Sequence, residues 1–328
     1  MPRPNFFLIG APKCGTTAMA QYLGENPRIF MPNLKEPGFW SADIPLPAGD
    51  ALSVYPQTLP AYLDLFQGAS REQLAIGEAS TSYAWSEIAV RRILEFQPDA
   101  RFICMVRNPL EMVHALHATE LFFLNEPLRD FESAWRSRNE RINSLDPQLR
   151  IKLDYRRIAS LGAQIASLFR AAPARQRHVI VYDDFVHNPR QCYENALAFL
   201  DVPSDGRSLF PVVNGAKAHR FGLAPRLLMQ PPEWIQPWLK QVCRPLLVQL
   251  GIRGVRERIL AMFSVQRARP KLPPSLIAEL AREFHDDVEL LSDLLGRDLR
   301  YWLAPSNPPP DESRARVDAS SHPETVGA

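Results

Sequence analysis

Gly10 and Gly15 enclose four residues and are followed directly by two hydroxyls, Thr16 and Thr17. Glycines at that spacing let the backbone turn successive N–H groups toward one point, and a helix opening at Thr16 adds its unpaired N–H donors and the positive end of its dipole. The chemistry of such a stretch is the holding of a phosphate-like anion. The spacing is that of a G-x-x-x-x-G-K-[ST] phosphate loop with one substitution: Thr16 stands where the lysine belongs, and the cation, Lys13, lies inside the loop beside Cys14. A purely structural strand-turn-helix corner explains the glycines but not the added cation and paired hydroxyls.

Other residues offer complementary chemistry. Lys35 and Glu36 sit in IFMPNLKEPGFW, Ile29 to Trp40, an apolar and turn-rich context suited to a catalytic carboxylate whose pKa is raised by burial; an exposed ion pair on a loop is the competing reading. Arg107 follows the apolar run ARFICMV at the point where a parallel sheet presents its ligands, which makes it available to a second anionic group. Glu78, Ser80, Thr81, Ser82 and Tyr83 end another apolar run and either line a cleft or cap the helix that follows. Lys217, His219 and Arg220 share a polar segment, 213–221, in a chain with only six lysines. A helix N-terminus next to Cys14 would lower its pKa and make a reactive thiol, whereas a small tolerated loop residue is the simpler reading.

The elements needed to position these groups follow from periodicity. Strands are expected at Phe6–Ile9, Leu74–Glu78, Ala100–Val106 and Arg177–Asp184, and helices at Thr17–Leu23, Ser86–Phe96, from Pro109, over Leu149–Phe169 and at Tyr193–Leu200. Strand and helix alternate four times, which predicts an α/β fold with a central parallel sheet covered by helices. Ser275 opens an amphipathic helix that Gly296 closes, giving a C-terminal helical portion. Pro225–Met262 reads as helical, a lid or acceptor-side wall within about 222–270. Ala304–Ala328, rich in proline, serine and charge, reads as a disordered tail, so a single domain over 1–303 is expected.

The 328 residues are 46% hydrophobic and carry a net charge of +2, enough for a large core and too balanced to suggest nucleic acid or a polybasic membrane anchor. Cys14, Cys104, Cys192 and Cys243 are far apart, lack metal-ligand spacing and read as reduced thiols. The first strand begins almost at once, leaving no room for a signal peptide, and no apolar run reaches membrane-spanning length. The expectation is a soluble, cytoplasmic protein with neither a nucleic-acid partner nor a membrane span.

Taken together, APKCGTTA, KEPGFW, GEASTSY, FICMVRNP, VIVYDDF-x-x-NP and LLGRDLRYWL make the chain, over Phe6 to Leu303, resemble the sulfotransferase family, in particular its branch related to heparan sulfate and bacterial carbohydrate sulfotransferases. The resemblance implies a P-loop-like α/β fold, a donor, 3'-phosphoadenosine 5'-phosphosulfate (PAPS), and no metal. It implies that Lys13, Gly15, Thr16 and Thr17, with Cys14 in the same loop, hold the 5'-phosphosulfate, and that Lys13 stabilises charge on the bridging oxygen. Arg107 would bind the 3'-phosphate, and Glu36 would be the general base acting on a hydroxyl or amine of a carbohydrate or small-metabolite acceptor.

The chain departs from the family pattern at three positions. Ala115 occupies the place of a serine ligand of the 3'-phosphate, a gap that Lys217 or Arg220 would fill; Met112 replaces an arginine, and Ala79 a lysine. A nucleotide-binding relative with reduced transfer is therefore the main alternative, and a Mg²⁺-dependent small-molecule kinase using Asp183 is a more distant one. Acceptor specificity would lie in Met31–Tyr62, Leu116–Arg150 and Gly222–Met262, where Trp40, Trp85, Trp135 and Trp234 are available to stack on a sugar or to fill the core.

Overall fold

The apolar runs FFLIG and RFICMV become adjacent parallel strands buried on both faces, which is why they read as continuous rather than alternating. The structure, a computed structural model, describes residues 2–44, 55–143, 145–211, 217–219, 264–266 and 270–304. In chain order the sheet and its first helices are β1 (Phe6–Gly10), α1 (Thr16–Gly24), β2 (Ile29–Phe30), α2 (Leu59–Leu63), β3 (Ala75–Ala79), α3 (Ala89–Phe96), β4 (Arg101–Val106) and α4 (Pro109–Phe122). Five helices then follow, α5 (Phe131–Arg136), α6 (Arg138–Ile142), α7 (Pro147–Leu153), α8 (Tyr155–Ala159) and α9 (Leu161–Ala171), before β5 (Arg177–Val181), α10 (Tyr182–His187) and α11 (Pro189–Phe199). Among the described residues the remaining elements are β6 (Lys217–His219), β7 (Ser264–Gln266), α12 (Pro274–Glu283) and α13 (His285–Leu295), with a 3₁₀ turn over Arg300–Leu303.

The main sheet has the order β2-β3-β1-β4-β5, every pair parallel, so the expected α/β fold with a helix-covered parallel sheet is what the chain adopts. β1 lies at the centre, with Phe6 opposite both Gly77 and Arg101. The loop after β1 consequently emerges at the middle of the sheet's carboxyl edge, with the ends of β3 and β4 on either side. Gly10 has φ 136, and a Cβ there would stand 2.4 Å from the Met105 carbonyl oxygen, so the central strand can pass this close to β4 only with glycine.

Several boundaries differ from the sequence expectation. The helical pattern over 149–169 is three helices, because Asp154 accepts the Arg157 N–H and caps a new helix, and the chain bends again at Ser160. The second break is held from outside: the Asp287 carboxylate of α13 accepts the N–H groups of Gly162 and Ala163 at the start of α9. The C-terminal amphipathic pattern is likewise two helices, parted at Phe284, whose buried ring packs on Trp135; Pro273 rather than Ser275 stands at the start, while Gly296 closes the second at φ 60. The strand expected over 177–184 stops at Val181, and the segment expected as a loop over 213–221 contains β6, antiparallel to β7. The lid expectation over 222–270, apart from β7, and the tail expectation beyond 304 lie outside the described residues. No helix among the described residues is long and apolar enough to cross a membrane.

Candidate active site

The loop between β1 and α1 has the geometry its glycines foreshadow. Gly15 is the N-cap of α1 at φ 91 and has no side chain with which to satisfy the first-turn N–H groups. A Cβ on it would meet the Tyr182 ring at 3.1 Å and the Met105 ε-methyl at 3.2 Å. Lys13 also adopts a left-handed conformation, φ 71, unusual for a residue with a side chain, and its carbonyl accepts a hydrogen bond from Arg107 Nη1 at 3.1 Å. An uncapped helix start, a cation and hydroxyls thus converge on one edge of the sheet, the requirement for binding a phosphate or sulfate group.

The Lys35-Glu36 pair joins this cradle directly. Lys35 Nζ donates to Thr17 Oγ1 at 2.7 Å and to Glu36 Oε1 at 2.9 Å, and Thr81 Oγ1 donates to Glu36 Oε2 at 2.8 Å. Both members of the pair are roughly two-fifths exposed, so neither reading of the sequence, sealed carboxylate or free surface pair, describes them fully. The expectation of a raised pKa is reversed. Removal from water does push the Glu36 carboxyl up, but the Lys35 charge, the bonds from Lys35 and Thr81 and the Lys13 charge outweigh it and hold the group below its ordinary value. Glu36 is therefore an ionised proton acceptor at neutral pH.

Arg107 lies at the end of β4, 10% exposed, with its guanidinium bound to Glu111 Oε2 through Nε and Nη2 at 3.2 and 2.6 Å. It stacks at 4.3 Å on the ring of Tyr182, which faces the loop because β5 ends at Val181 and the chain turns into α10. The residue is thus at the loop but committed to Glu111 and the Lys13 carbonyl. Ala115, two turns along α4, presents only a buried methyl, and Met112 is buried with its sulfur 3.7 Å from Cys14 Sγ. β6, which carries Lys217, lies alongside α4; Arg220 is outside the described residues.

Cys14 is fully buried, and burial, opposed only partly by Arg107 and Lys13, pushes its thiol up to about 12, contrary to the lowering expected of a helix start. It packs the loop from below. Cys104 and Cys192 are buried free thiols as well. Trp40 and Trp135 belong to the core, Trp85 is half-buried, and Trp234 lies outside the described residues.

The GEASTSY segment neither simply lines a cleft nor caps α3. α3 begins at Ala89 rather than Ser86, with Ile88 at its N-cap; Ser86 Oγ accepts the N–H groups of Ile88 and Ala89 just ahead of it, and the residues before Ser86 bind the loop that carries Glu36. Within that segment Glu78 is fully buried, and burial, countered in part by bonds from Ser80, Tyr83 and Tyr62 and reinforced by the Glu36 charge, raises its pKa to about 7. A carboxyl that binds its proton more tightly folded than unfolded stabilises the fold most fully below its unfolded pKa and loses that contribution as pH rises through the folded one. Unfolding free energy from denaturant titration is therefore expected to fall between pH 5 and pH 8, with Glu78 contributing about 3 kcal/mol of the decline, and Glu78→Gln should flatten the slope.

Asp183 and Asp184 are occupied by the C-terminal turn. Asp183 Oδ2 accepts Tyr301 Oη at 2.6 Å and Trp302 Nε1 at 2.7 Å, and the two oxygens of Asp184 bind the Arg297 guanidinium. The kinase reading gives to a magnesium ion a carboxylate, Asp183, whose Oδ2 already accepts from two C-terminal side chains. Of the residues singled out in the sequence, the structure gathers Lys13, Gly15, Thr16, Thr17, Glu36 and Arg107 on one sheet edge. The part of Lys35 as a bridge, of Thr81 as a donor to Glu36 and of Tyr182 as the ring under Arg107 was not assigned from sequence; the adjacency of Lys35 to Glu36 was the available signal for the first.

These features define an α/β protein of the P-loop-like class. A family model described as sulfotransferase family matches residues 47–206, a span that includes Arg107 and leaves out the cradle and Glu36. Carbohydrate sulfotransferase 15 of Mus musculus is 31% identical over 150 residues, covering 34% of this chain and 26% of that protein, and the Homo sapiens protein matches to the same extent. The match thus spans about a quarter of the length of these relatives. A sulfotransferase structure from Alicyclobacillus acidocaldarius superimposes with a TM-score of 0.67 at 26% identity, covering 93% of this chain and 100% of that one. Over residues 47–206, just under half of the chain, and in its overall fold, the chain is similar to the sulfotransferase family.

Proposed function

We propose that the protein moves a sulfuryl group from PAPS to a hydroxyl or amine of a carbohydrate or other small metabolite, without a metal ion. The observation that carries the reading is the hydrogen-bonded chain from Thr17 through Lys35 to Glu36 and Thr81, which sets an ionised carboxylate one side chain away from an anion cradle. The match to the sulfotransferase family model supports the reaction class, and the name of the matched relatives supports a carbohydrate as acceptor.

The residues fit the donor best at its 5' end. Gly15, Thr16 and Thr17, with the uncapped start of α1, would hold the 5'-phosphosulfate, Lys13 would lie against its charge, and Arg107 would take the 3'-phosphate, with Lys217 or Arg220 in place of the missing serine hydroxyl at Ala115. The donor, once bound, supplies an activated sulfuryl group. Glu36 takes the proton of the acceptor hydroxyl or amine, while Lys13 and Lys35 neutralise negative charge growing on the opposite side. Lys35 is shared between the two tasks. Whatever share of its ammonium is drawn toward the cradle is withdrawn from Glu36, whose affinity for a proton rises accordingly.

Calorimetry with 3'-phosphoadenosine 5'-phosphate and with ATP, each with and without EDTA, tests the donor. The bisphosphate is expected to bind, ATP to bind poorly, and EDTA to have no effect; tight ATP binding that requires Mg²⁺ would overturn the proposal in favour of the kinase reading. Following labelled sulfate from PAPS into candidate acceptors separates transfer from binding alone, since donor binding with no transfer to any acceptor would favour a nucleotide-binding relative.

A further inference from the structure

Behind the loop that carries Glu36 stands a second carboxylate that the proposed reaction does not use. Glu78 is fully buried on β3, paired in register with Phe7, and accepts three hydroxyl protons: Tyr62 Oη at 2.8 Å and Tyr83 Oη at 2.7 Å on Oε1, and Ser80 Oγ at 2.7 Å on Oε2. A hydroxyl has one proton, so each of these, with its proton turned to Glu78, has only lone pairs to offer elsewhere. Ser80 Oγ spends one on the N–H of Gly38 at 3.1 Å, and Tyr83 Oη one on the N–H of Trp40 at 3.3 Å. Glu36 N–H donates to the Ala79 carbonyl at 2.9 Å, and the Ser41 and Ser82 hydroxyls meet at 2.8 Å. The segment 36–41 is thus stitched along 79–83, and Glu36 itself is held at φ 58, a conformation a glutamate adopts only when its surroundings impose it.

We propose that Glu78 is a positioning residue for the transfer reaction: as a carboxylate it fixes the direction of the Ser80 and Tyr83 hydroxyls, these hold the backbone at Gly38 and Trp40, and that backbone holds Glu36 toward the cradle. The inference rests on the reading of Glu36 as the base. It accounts for a carboxylate where a neutral amide of the same shape would fail, because the amide nitrogen introduced by Glu78→Gln would donate toward a hydroxyl already accepting from the backbone and leave that hydroxyl's proton without a partner.

The groups facing Glu78 are Tyr62 from α2, Tyr83 from the turn after β3, Ser80 from its own strand end and Glu36 from the clamped loop, and the last of these disfavours its ionisation. With the Glu78 pKa raised to about 7, both protonation states occur near neutrality. Protonation removes charge assistance from all three bonds and converts an accepted bond into a donated one, which loosens the clamp. The local and global effects of Glu78 ionisation therefore run in opposite directions: its contribution to the stability of the fold is larger on the acid side of 7, and the Glu36 loop is tighter on the alkaline side.

Amide hydrogen exchange of the intact chain reads this directly. After correction for intrinsic exchange, protection of the Gly38 and Trp40 amides is expected to rise with pH through about 7 while global stability falls. Glu78→Gln should reduce that protection about tenfold or more and abolish its pH dependence, with 3'-phosphoadenosine 5'-phosphate binding unchanged in calorimetry. Ser80→Ala should release Gly38 alone and Tyr83→Phe Trp40 alone, so the inference is still tested if Glu78→Gln does not fold. With an acceptor in hand, Glu78→Gln should lower kcat with little change in KM and erase an acid limb near pH 7. Unchanged protection in Glu78→Gln, or protection that tracks global stability, would overturn the proposal. Failure of the base reading shows separately, as unchanged turnover in Glu36→Gln, and leaves the exchange result to be judged by itself.

Discussion

Lys13→Ala is expected to lower sulfuryl transfer by roughly 10²- to 10³-fold, about 3–4 kcal/mol of transition-state stabilisation, the loss typical of removing one preorganised donor aimed at developing charge. Lys13 is held at φ 71 by the loop, and its carbonyl, which alanine keeps, is what Arg107 binds. The substitution therefore deletes a charge without deleting the contact that ties the loop to β4. Lys13→Met, which keeps most of the stem, separates charge from packing and should fall nearly as far. The measurement is single-turnover transfer from PAPS at saturating enzyme, with bisphosphate affinity recorded alongside. A variant that turns over like the unmodified protein would mean that Lys35 alone carries the leaving-group charge.

Glu36→Gln should cut turnover by about 10²-fold or more while leaving donor binding unchanged, because the amide keeps the size and one of the two hydrogen-bond acceptors of the carboxylate but cannot take a proton. The pH dependence sharpens this expectation. Lys35, Thr81 and Lys13 hold the carboxyl below its ordinary value, so Glu36 is ionised throughout the neutral range and contributes no acid limb there. The sign follows from the cause: removing the neighbouring charge in Lys35→Met should move the Glu36 pKa upward and bring its limb into the measurable range. Turnover in Glu36→Gln equal to that of the unmodified protein would remove Glu36 from the mechanism.

The sequence announced the cradle because its requirements are local: glycines at Gly10 and Gly15, hydroxyls at Thr16 and Thr17 and an apolar strand in front are all contiguous. The sheet was legible for a similar reason, since strands buried on both faces are continuous apolar runs. What could not be read was direction and partnership. Burial and the neighbouring Lys35 pull the Glu36 pKa in opposite directions, and the balance is helped downward by a bond from Thr81, 45 residues away, and by the Lys13 charge. The thiol of Cys14 faces down into Met112 rather than out into the cradle, and no local pattern distinguishes the two. Helix breaks at Asp154 and Ser160 were hidden because the apolar spacing runs through them; the carboxylate that holds the second break, Asp287, comes from another helix. Glu78 was visible as a strand-end acid, but its ring of hydroxyls, Tyr62 among them, exists only after folding.

The C-terminal turn has a consequence for the order in which the protein is made. Asp183, immediately after the Tyr182 that supports Arg107, is bound by Tyr301 and Trp302, Asp184 by Arg297, and Asn108, immediately after Arg107, donates to the Trp302 carbonyl at 3.2 Å. On a ribosome, the central strands and the phosphate loop emerge long before these partners do. Until residues 297–302 leave the exit tunnel, two aspartates and an asparagine at the sheet's working edge lack their final ligands, so a nascent chain has a cradle before it has a rigid support for Arg107.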